Sequence, residues 1–320
     1  MKALTVLVVA NDAPYLEALR KVGEPTTFVV SNKVGVLQEA APRADAALVV
    51  GGAALLETIF PAATRLRWVH AFGGGVEKVL FPELIASPVT LTNARGVFRK
   101  SLAEFVMAGV LFFAKDLRRL IRQQGAGVWQ PFDVEEVEGK VIGIVGYGET
   151  GRASAEIAHA LGMKVLALRR RPERSHGDPL LDKVFGPECL REMLAGCDFV
   201  VLTAPQTAET RGLIGQAEIQ SMKPEAVVIN VGRGSLVHEA ALVEALQQRR
   251  IRGAVLDVFE VEPLPSGHPF YSMENVLLSP HCADHTPDCQ ALAMDCFLRN
   301  LTRFQKGEPL ENIVDKTAGY

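Results

Sequence analysis

With 320 residues, the chain is too long for one ordinary hydrophobic core and is long enough for two domains. Its 48% hydrophobic and 22% charged residues exclude an intrinsically disordered protein, and its net charge of −3 gives no reason to expect nucleic acid as a partner. Five cysteines, an odd number without a CxxC pair, argue against a disulfide framework and against a zinc ribbon.

The first apolar run, residues 3–10, is rich in Val and stops at Asn11 and Asp12, which favours a buried strand over a signal peptide. A later run, residues 105–114, has about half the length of a bilayer span. Together with the cysteine pattern, these runs predict a soluble, cytoplasmic protein without a bound metal or a membrane partner.

Short apolar runs alternate with helical patterns over the first hundred residues. Most runs are Val-rich or largely apolar and precede turn residues, as parallel strands buried on both faces do. This part of the chain therefore predicts an α/β domain without a phosphate-binding glycine motif. The predicted strands are residues 4–9, 27–30, 46–50, 67–70 and 89–92.

A long helix is predicted next, with Ser101 as its N-cap, Glu104 completing a capping box, and an end near Arg122. Beyond it, six apolar runs predict strands and several helical patterns lie between them, which indicates a doubly wound parallel sheet of Rossmann type. The predicted strands are residues 141–145, 164–168, 198–203, 226–231, 253–258 and 275–279, and the predicted helices are residues 150–161, 189–195 and 239–249.

A last helix after Thr286, ending near Phe304, is expected to pack back on the first part of the chain. This assigns residues 1–100 and 288–320 to one domain and residues 101–287 to the other.

A glycine motif directly follows the first strand of the second domain and opens a helix, which is the setting that dinucleotide binding requires. Gly146 permits the tight turn, Gly148 lets the backbone approach a pyrophosphate, and Gly151 lets helix and strand pack closely. Two alternatives are a glycine turn without a nucleotide and a site for another adenosine-bearing ligand such as S-adenosylmethionine. The predicted cofactor contacts are Gly146, Gly148, Glu149, Thr150 and Gly151.

The end of the following strand carries Arg169, Arg170 and Arg171, where an acidic residue normally binds the adenosine ribose. Guanidinium groups at this position attract a 2′-phosphate and bind it with two hydrogen bonds. NADP is therefore the preferred cofactor, with NAD second. The alternative is a basic loop that only faces solvent.

Three polar residues follow three strands of the same sheet: Arg233, Glu262 and His281. Because the carboxyl ends of parallel strands share one edge, these side chains are expected to converge. Arg233 would bind a substrate carboxylate, His281 would protonate a carbonyl oxygen as hydride arrives, and Glu262 would stabilise the imidazolium. Asp257 would support them as a further acid, and His285 is a rival proton donor.

These motifs resemble those of the D-isomer-specific 2-hydroxyacid dehydrogenase family, and the resemblance spans nearly the whole chain. Two positions depart from the family pattern: Thr150 replaces an isoleucine, and Arg169 replaces the aspartate that favours NAD. The matching segments are residues 71–77, 101–104, 201–205 with Thr210, 230–234, 257–263, 280–281 and 312–315.

The resemblance implies a flavodoxin-like substrate domain, a Rossmann-like domain and a homodimer. It also implies that the backbone amides of Gly74 and Gly75 hold the substrate carboxylate together with Arg233. The further cofactor contacts that it implies are Thr203, Ala204, Pro205, Thr210, Val231, Gly232, Arg233, Asp257 and His281.

An NADPH-dependent reductase of glyoxylate or hydroxypyruvate is the closest functional match. The alternative from another class is a nucleotide-sensing corepressor on the same fold, which binds the cofactor without turnover. The substrate side chain stays open, although Val97, Phe98 and Arg99 are candidates to line its pocket.

Overall fold

The structure is a computed structural model that describes residues 3–320. Two compact units make up this part of the chain. The first unit contains residues 3–98 and Thr286–Tyr320, and the second contains Arg99–His285. No helix within residues 3–320 is both long enough and apolar enough to cross a bilayer.

The first unit is built on five parallel strands in the order β2-β1-β3-β4-β5, which is the flavodoxin-like order. Runs such as Ala46–Val49 are buried along their whole length because helices cover both faces of the sheet. The strands are β1 (Leu4–Val9), β2 (Thr26–Ser31), β3 (Ala46–Val49), β4 (Trp68–Ala71) and β5 (Thr90–Asn93); the first helices are α1 (Val34–Ala40), α2 (Ala54–Ile59) and α3 (Pro82–Ala86).

The second unit contains seven parallel strands in the order β12-β11-β10-β9-β6-β7-β8, the Rossmann order with one strand added at the far end. Both sheets confirm the predicted fold class. The strands are β6 (Val141–Val145), β7 (Lys164–Leu168), β8 (Lys183–Phe185), β9 (Phe199–Leu202), β10 (Val227–Asn230), β11 (Gly253–Leu256) and β12 (Val276–Leu278). The helices are α4 (Arg99–Ala114), α5 (Leu117–Gly125), α6 (Glu149–Ala160), α7 (Leu190–Gly196), α8 (Gln216–Ser221) and α9 (Glu239–Gln247).

The chain then returns to the first unit through α10 (Cys289–Lys306). Phe297 of this helix stacks on Trp68 of β4, with 5.4 Å between the ring centroids. Beside them, His70 is completely buried and shares the hydroxyl of Thr92 with Trp68, each at 2.8 Å. Burial disfavours the charged imidazolium and lowers the pKa of His70 to about 3.

The single long helix predicted from Ser101 to Arg122 is wrong. The helix begins at Arg99 and is interrupted at Asp116, which has a left-handed φ of 43° and whose carboxylate accepts a hydrogen bond from the amide of Arg119 to cap α5. Ser101 does not act as an N-cap, because it lies inside the first turn and its hydroxyl donates to the carbonyl of Ala283 at 2.6 Å.

Two short elements escaped the sequence prediction. Strand β8 has three residues and lies at the edge of the sheet, so no long apolar run marks it. Helix α8 has six residues, and Glu218 accepts from the amide of Gly215 to complete its first turn. Elements of this length lie below the range where hydrophobic periodicity distinguishes helix from strand.

Candidate active site

The turn between β6 and α6 has the geometry of a dinucleotide-binding loop. Gly146 has a φ of 100°, and a Cβ at this position would lie 2.4 Å from the backbone nitrogen of Ala204. A Cβ on Gly151 would lie 2.6 Å from the carbonyl oxygen of Gly146, whereas one on Gly148 would meet nothing within 4 Å. Gly146 and Gly151 are thus required by packing, and Gly148 faces open space in front of the amides that begin α6.

The loop after β9 lies against this glycine turn. The hydroxyl of Thr203 donates to the carbonyl of Gly146 at 2.6 Å. Further along, the hydroxyl of Thr210 donates to the carbonyl of Pro205 at 2.7 Å and accepts from the amide of Thr207 at 2.8 Å. These hydrogen bonds fix the loop at the point where the strand order reverses, which is where open α/β sheets bind ligands.

The three arginines occupy the far side of the same edge. Arg169 is half-buried, and its guanidinium donates to the hydroxyl of Ser175. Arg170 is more exposed and forms an ion pair with Glu209 at 3.6 Å. Arg171 is half-buried and precedes the short 3₁₀ turn Pro172–Ser175.

His281 and Glu262 form a hydrogen-bonded pair. The distance from His281 Nδ1 to Glu262 Oε2 is 2.7 Å, and the second carboxylate oxygen accepts from the amide of Phe259 at 3.0 Å. The side chain of His281 is 44% exposed, so the imidazole is both oriented and accessible. A histidine held in this way can donate a proton from its other ring nitrogen.

Asp257 fixes the backbone that carries His281. This residue is 1% exposed, and its Oδ1 accepts hydrogen bonds from the hydroxyl of Ser279 and the amides of Cys282 and Ala283, at 2.7, 2.9 and 3.1 Å. Its carbonyl also accepts from the amide of His281 at 2.9 Å. These bonds maintain the left-handed φ of 52° at His281, a conformation that costs energy in a residue other than glycine.

Arg233 lies three residues beyond β10 and is half-buried. Its guanidinium donates to the carbonyl of Gly232 at 2.7 Å. The buried amide side chain of Asn230 spans the turn, because Nδ2 donates to the carbonyl of Arg233 and Oδ1 accepts from the amide of Gly232.

The strands that carry these residues are adjacent and end in register. Asn230 pairs with Leu256, and Leu256 pairs with Leu278. Since neighbouring strands lie about 4.8 Å apart, the ends of β10 and β12 are separated by roughly 10 Å. Arg233, Glu262 and His281 therefore all follow strand ends on one short stretch of the sheet edge.

A family model for the D-isomer specific 2-hydroxyacid dehydrogenase NAD binding domain matches residues 107–283, more than half of the chain. The chain belongs to this family. A glyoxylate reductase from Korarchaeum cryptofilum is 33% identical over 269 residues, covering 81% of this chain and 79% of that protein.

Two solved structures of the family are similar over the whole chain. The NADPH-dependent glyoxylate/hydroxypyruvate reductase of Sinorhizobium meliloti, in complex with NADP and sulfate, is 28% identical with a TM-score of 0.85 and covers 99% of this chain and 100% of its own. A D-isomer specific 2-hydroxyacid dehydrogenase from Xanthobacter autotrophicus, in complex with NADPH and MES, is 30% identical with a TM-score of 0.83 and full coverage of both chains. This member of the 2-hydroxyacid dehydrogenase family is therefore an NAD(P)-dependent oxidoreductase.

The substrate-loop residues implied by the family resemblance lie in the first unit. Gly74 and Gly75 follow β4, and the carbonyl of Gly74 accepts a hydrogen bond from the side chain of Asn93 at 2.5 Å. Gly74 is exposed, and a Cβ there would meet its nearest neighbour, Phe98, only at 3.9 Å. The loop at Gly74 is thus open to solvent.

Several residues at the candidate site carried no role in the sequence interpretation. Asn230 and Ser279 are both buried. The side chain of Asn230 donates to the carbonyl of Arg233, and the hydroxyl of Ser279 donates to the carboxylate of Asp257. A Cβ on Gly234 would lie 1.9 Å from the carbonyl carbon of Phe259, so this glycine lets the Arg233 loop pack against the loop that leads to Glu262. In the sequence, the signal that marks Asn230 is a polar residue at the end of an otherwise apolar strand.

The rival proton donor, His285, has a different setting. Its side chain is 67% exposed, and its nearest acidic atom is Asp284 Oδ1 at 3.8 Å. The oriented imidazole at this edge is therefore that of His281.

Within residues 3–320 no three His, Cys, Asp or Glu side chains come together as a metal site.

Proposed function

We propose that this dehydrogenase reduces a small 2-keto acid, glyoxylate or hydroxypyruvate, to the corresponding 2-hydroxy acid, the D isomer where the product is chiral, with NADPH as the preferred hydride donor. The hydrogen bond of 2.7 Å between His281 and Glu262, on the same sheet edge as the glycine turn, is the observation that carries this proposal. The curated relatives are reductases and dehydrogenases, so a corepressor without turnover is not favoured.

A bound nicotinamide cofactor supplies hydride to the substrate carbonyl carbon. The residues present fit such a cofactor, because the glycine turn leaves space at Gly148 and the amides at the start of α6 point toward it. Around the nicotinamide we place Thr203, Ala204, Pro205, Thr210, Val231, Gly232 and Asp257, and around the phosphates Gly146, Gly148, Glu149, Thr150 and Gly151.

In the reaction, Arg233 would bind the substrate carboxylate and polarise the carbonyl, since a guanidinium offers a planar fork of donors. For the first unit, we propose a role in substrate binding through the amides of Gly74 and Gly75. With Nδ1 donating to Glu262, the Nε2 of His281 protonates the carbonyl oxygen, and Glu262 stabilises the imidazolium before transfer.

The preference for NADPH is assigned to Arg169, Arg170 and Arg171. The absence of a carboxylate at the end of β7 removes the group that would bind the ribose hydroxyls of NAD and repel a 2′-phosphate. The S. meliloti reductase, named as NADPH-dependent, supports the same cofactor for this chain.

We also infer a homodimer. The segment after α5 exposes apolar side chains that a lone chain leaves in water, above all Trp129 at 97% exposure with Val128 and Val134 beside it. Burial of such residues stabilises association by about 25 cal/mol per Å² of apolar surface. Sedimentation of the wild type and of Trp129→Ser tests this, and a monomeric wild type would contradict it.

The activity is tested by following oxidation of NADPH and of NADH with glyoxylate, hydroxypyruvate, pyruvate and bulkier 2-keto acids. We expect the highest kcat/KM for NADPH with one of the two small acids named first. Binding of NADPH without turnover on any acid would overturn the proposed enzyme. Faster oxidation of NADH than of NADPH would overturn the cofactor assignment alone.

A further inference from the structure

The glycine turn and the arginines are joined by a chain of hydrogen bonds. Tyr147, the residue between Gly146 and Gly148, is 6% exposed. Its hydroxyl donates to Asp178 Oδ2 at 3.0 Å. Burial, followed by the neighbouring Asp178 carboxylate, raises the pKa of Tyr147, so the phenol remains a donor at physiological pH.

Asp178 in turn shapes the segment between β7 and β8, residues 169–182, here called the arginine loop. Its carboxylate is 15% exposed, accepts from the amide of Leu180 at 3.2 Å and lies 3.6 Å from Nε of Arg152. Its amide donates to the carbonyl of Ser175 at 3.2 Å. The carboxylate therefore ties the middle of the arginine loop to the glycine turn and to α6.

The last step of the chain reaches the arginine itself. Ser175 is buried, and its hydroxyl accepts from the guanidinium of Arg169. The position of Ser175 depends on the turn that Asp178 closes, and the position of Asp178 depends on Tyr147. The orientation of the Arg169 guanidinium is thus linked, through three hydrogen bonds, to the residue beside Gly146 and Gly148.

We propose that Tyr147 and Asp178 are positioning residues that set the preference for a 2′-phosphorylated cofactor by fixing Arg169 relative to the glycine turn. The proposal rests on the function proposed above. A pyrophosphate at the glycine turn and a 2′-phosphate at the arginine loop are parts of one ligand, so their subsites must keep a fixed separation. A guanidinium that is already oriented loses less entropy when it binds phosphate.

NADH is the natural control ligand, because it has the same pyrophosphate and lacks the 2′-phosphate. Loosening the arginine loop should weaken NADPH binding and leave NADH binding unchanged. An effect on the glycine turn itself would weaken both cofactors equally.

The experiment measures Kd for NADPH and NADH by fluorescence titration of the wild type, Tyr147→Phe and Asp178→Asn. Tyr147→Phe keeps the buried ring and removes only the hydroxyl; we expect Kd for NADPH to rise about fivefold, the effect of one hydrogen bond, and Kd for NADH to change less than about twofold. The kcat at saturating NADPH should stay near the wild-type value, and Asp178→Asn should shift the two Kd values in the same pattern.

Tyr271→Phe is the matched control, since Tyr271 lies in the same unit and its hydroxyl donates to Leu264, outside the arginine loop. It should leave both Kd values unchanged. If Tyr147→Phe fails to fold, the isosteric Asp178→Asn decides alone. Equal losses of affinity for both cofactors, or no loss of affinity for NADPH, would overturn the proposed positioning role of Tyr147 and Asp178.

Arg169→Ala separates this result from failure of the proposed function. If the wild type binds NADPH no better than NADH, and Arg169→Ala behaves in the same way, both the cofactor assignment and the positioning role of Tyr147 and Asp178 are rejected. If the wild type prefers NADPH, Arg169→Ala abolishes this preference, and Tyr147→Phe and Asp178→Asn both retain it, only the positioning role is rejected.

Discussion

Two sides of one sheet edge differ in how firmly their functional groups are held. The acid side consists of the loops after β10, β11 and β12. There, Asp257 is 1% exposed and its carboxylate accepts three hydrogen bonds. The arginine side consists of the loops after β7 and β9. There, Arg170 and Glu209 form an ion pair of 3.6 Å, and their side chains are 41% and 72% exposed.

The difference separates chemistry from selectivity. Proton transfer requires the donor within hydrogen-bonding reach of the substrate, and a buried network supplies that precision. The pair of Arg170 and Glu209 lies near the surface, and exposed ion pairs stabilise the fold by only about 0–1 kcal/mol. Changes on the arginine side should therefore cost little stability, whereas loss of the buried Asp257 carboxylate on the acid side should cost several times more.

The largest effect is expected for His281→Asn, which tests whether the acid side carries the chemistry. Asparagine tolerates the positive φ at this position, so the fold is preserved. Turnover should fall by about 10²- to 10⁴-fold, with cofactor Kd nearly unchanged. His285→Asn is the matched control and should keep most of its turnover; the reverse result would transfer the acid role to His285.

Removal of the buried carboxylate should come next. Asp257→Ala leaves three donors without an acceptor, and the free energy of unfolding of the second unit should fall by about 3 kcal/mol. Urea unfolding measures this loss. Asp257→Asn retains an acceptor oxygen and should lose clearly less; equal stability of the wild type and Asp257→Ala would show that the network is not what holds His281.

On the arginine side, Arg169→Ala should raise Kd for NADPH by about tenfold, the loss of one charge-assisted phosphate contact, with unchanged thermal stability. Parallel titrations with NADH should show no shift. Arg174→Ala removes a charge from the same loop at an exposed position and serves as its control. If both variants weaken NADPH equally, general charge attraction and not a defined contact explains the preference.

The smallest effect is expected for Glu209→Gln. This change releases Arg170 from its ion pair, and Kd for NADPH should fall by less than about threefold in low salt, with the gain disappearing at high ionic strength. The comparison variant is Glu173→Gln, which removes an exposed carboxylate from the arginine loop that carries Arg170. A tighter complex in both variants, or a weaker one in Glu209→Gln, would contradict a specific competition for Arg170.

The sequence predicted the sheets of both units because their central strands are long apolar runs buried on both faces. It also predicted the pair of His281 and Glu262, since strand ends share one edge and the residue types suit one reaction. The break at Asp116 was missed because a single left-handed residue leaves the hydrophobic pattern of the flanking helices intact. The three donors around Asp257 were missed for another reason: they come from a turn whose path is set by packing, not by periodicity.

The buried imidazole at position 70 makes the first unit sensitive to acid. Its pKa of about 3 in the folded chain lies below the value of 6.5 for an exposed histidine, so between these limits the unfolded chain binds one more proton than the folded chain. The free energy of unfolding should therefore be unaffected above pH 6.5 and fall by about 1.4 kcal/mol per pH unit as the solution is acidified toward pH 3. Hydrogen exchange in β4, compared between the wild type and His70→Gln across this range, measures it, and a wild-type slope identical to that of the variant would contradict it.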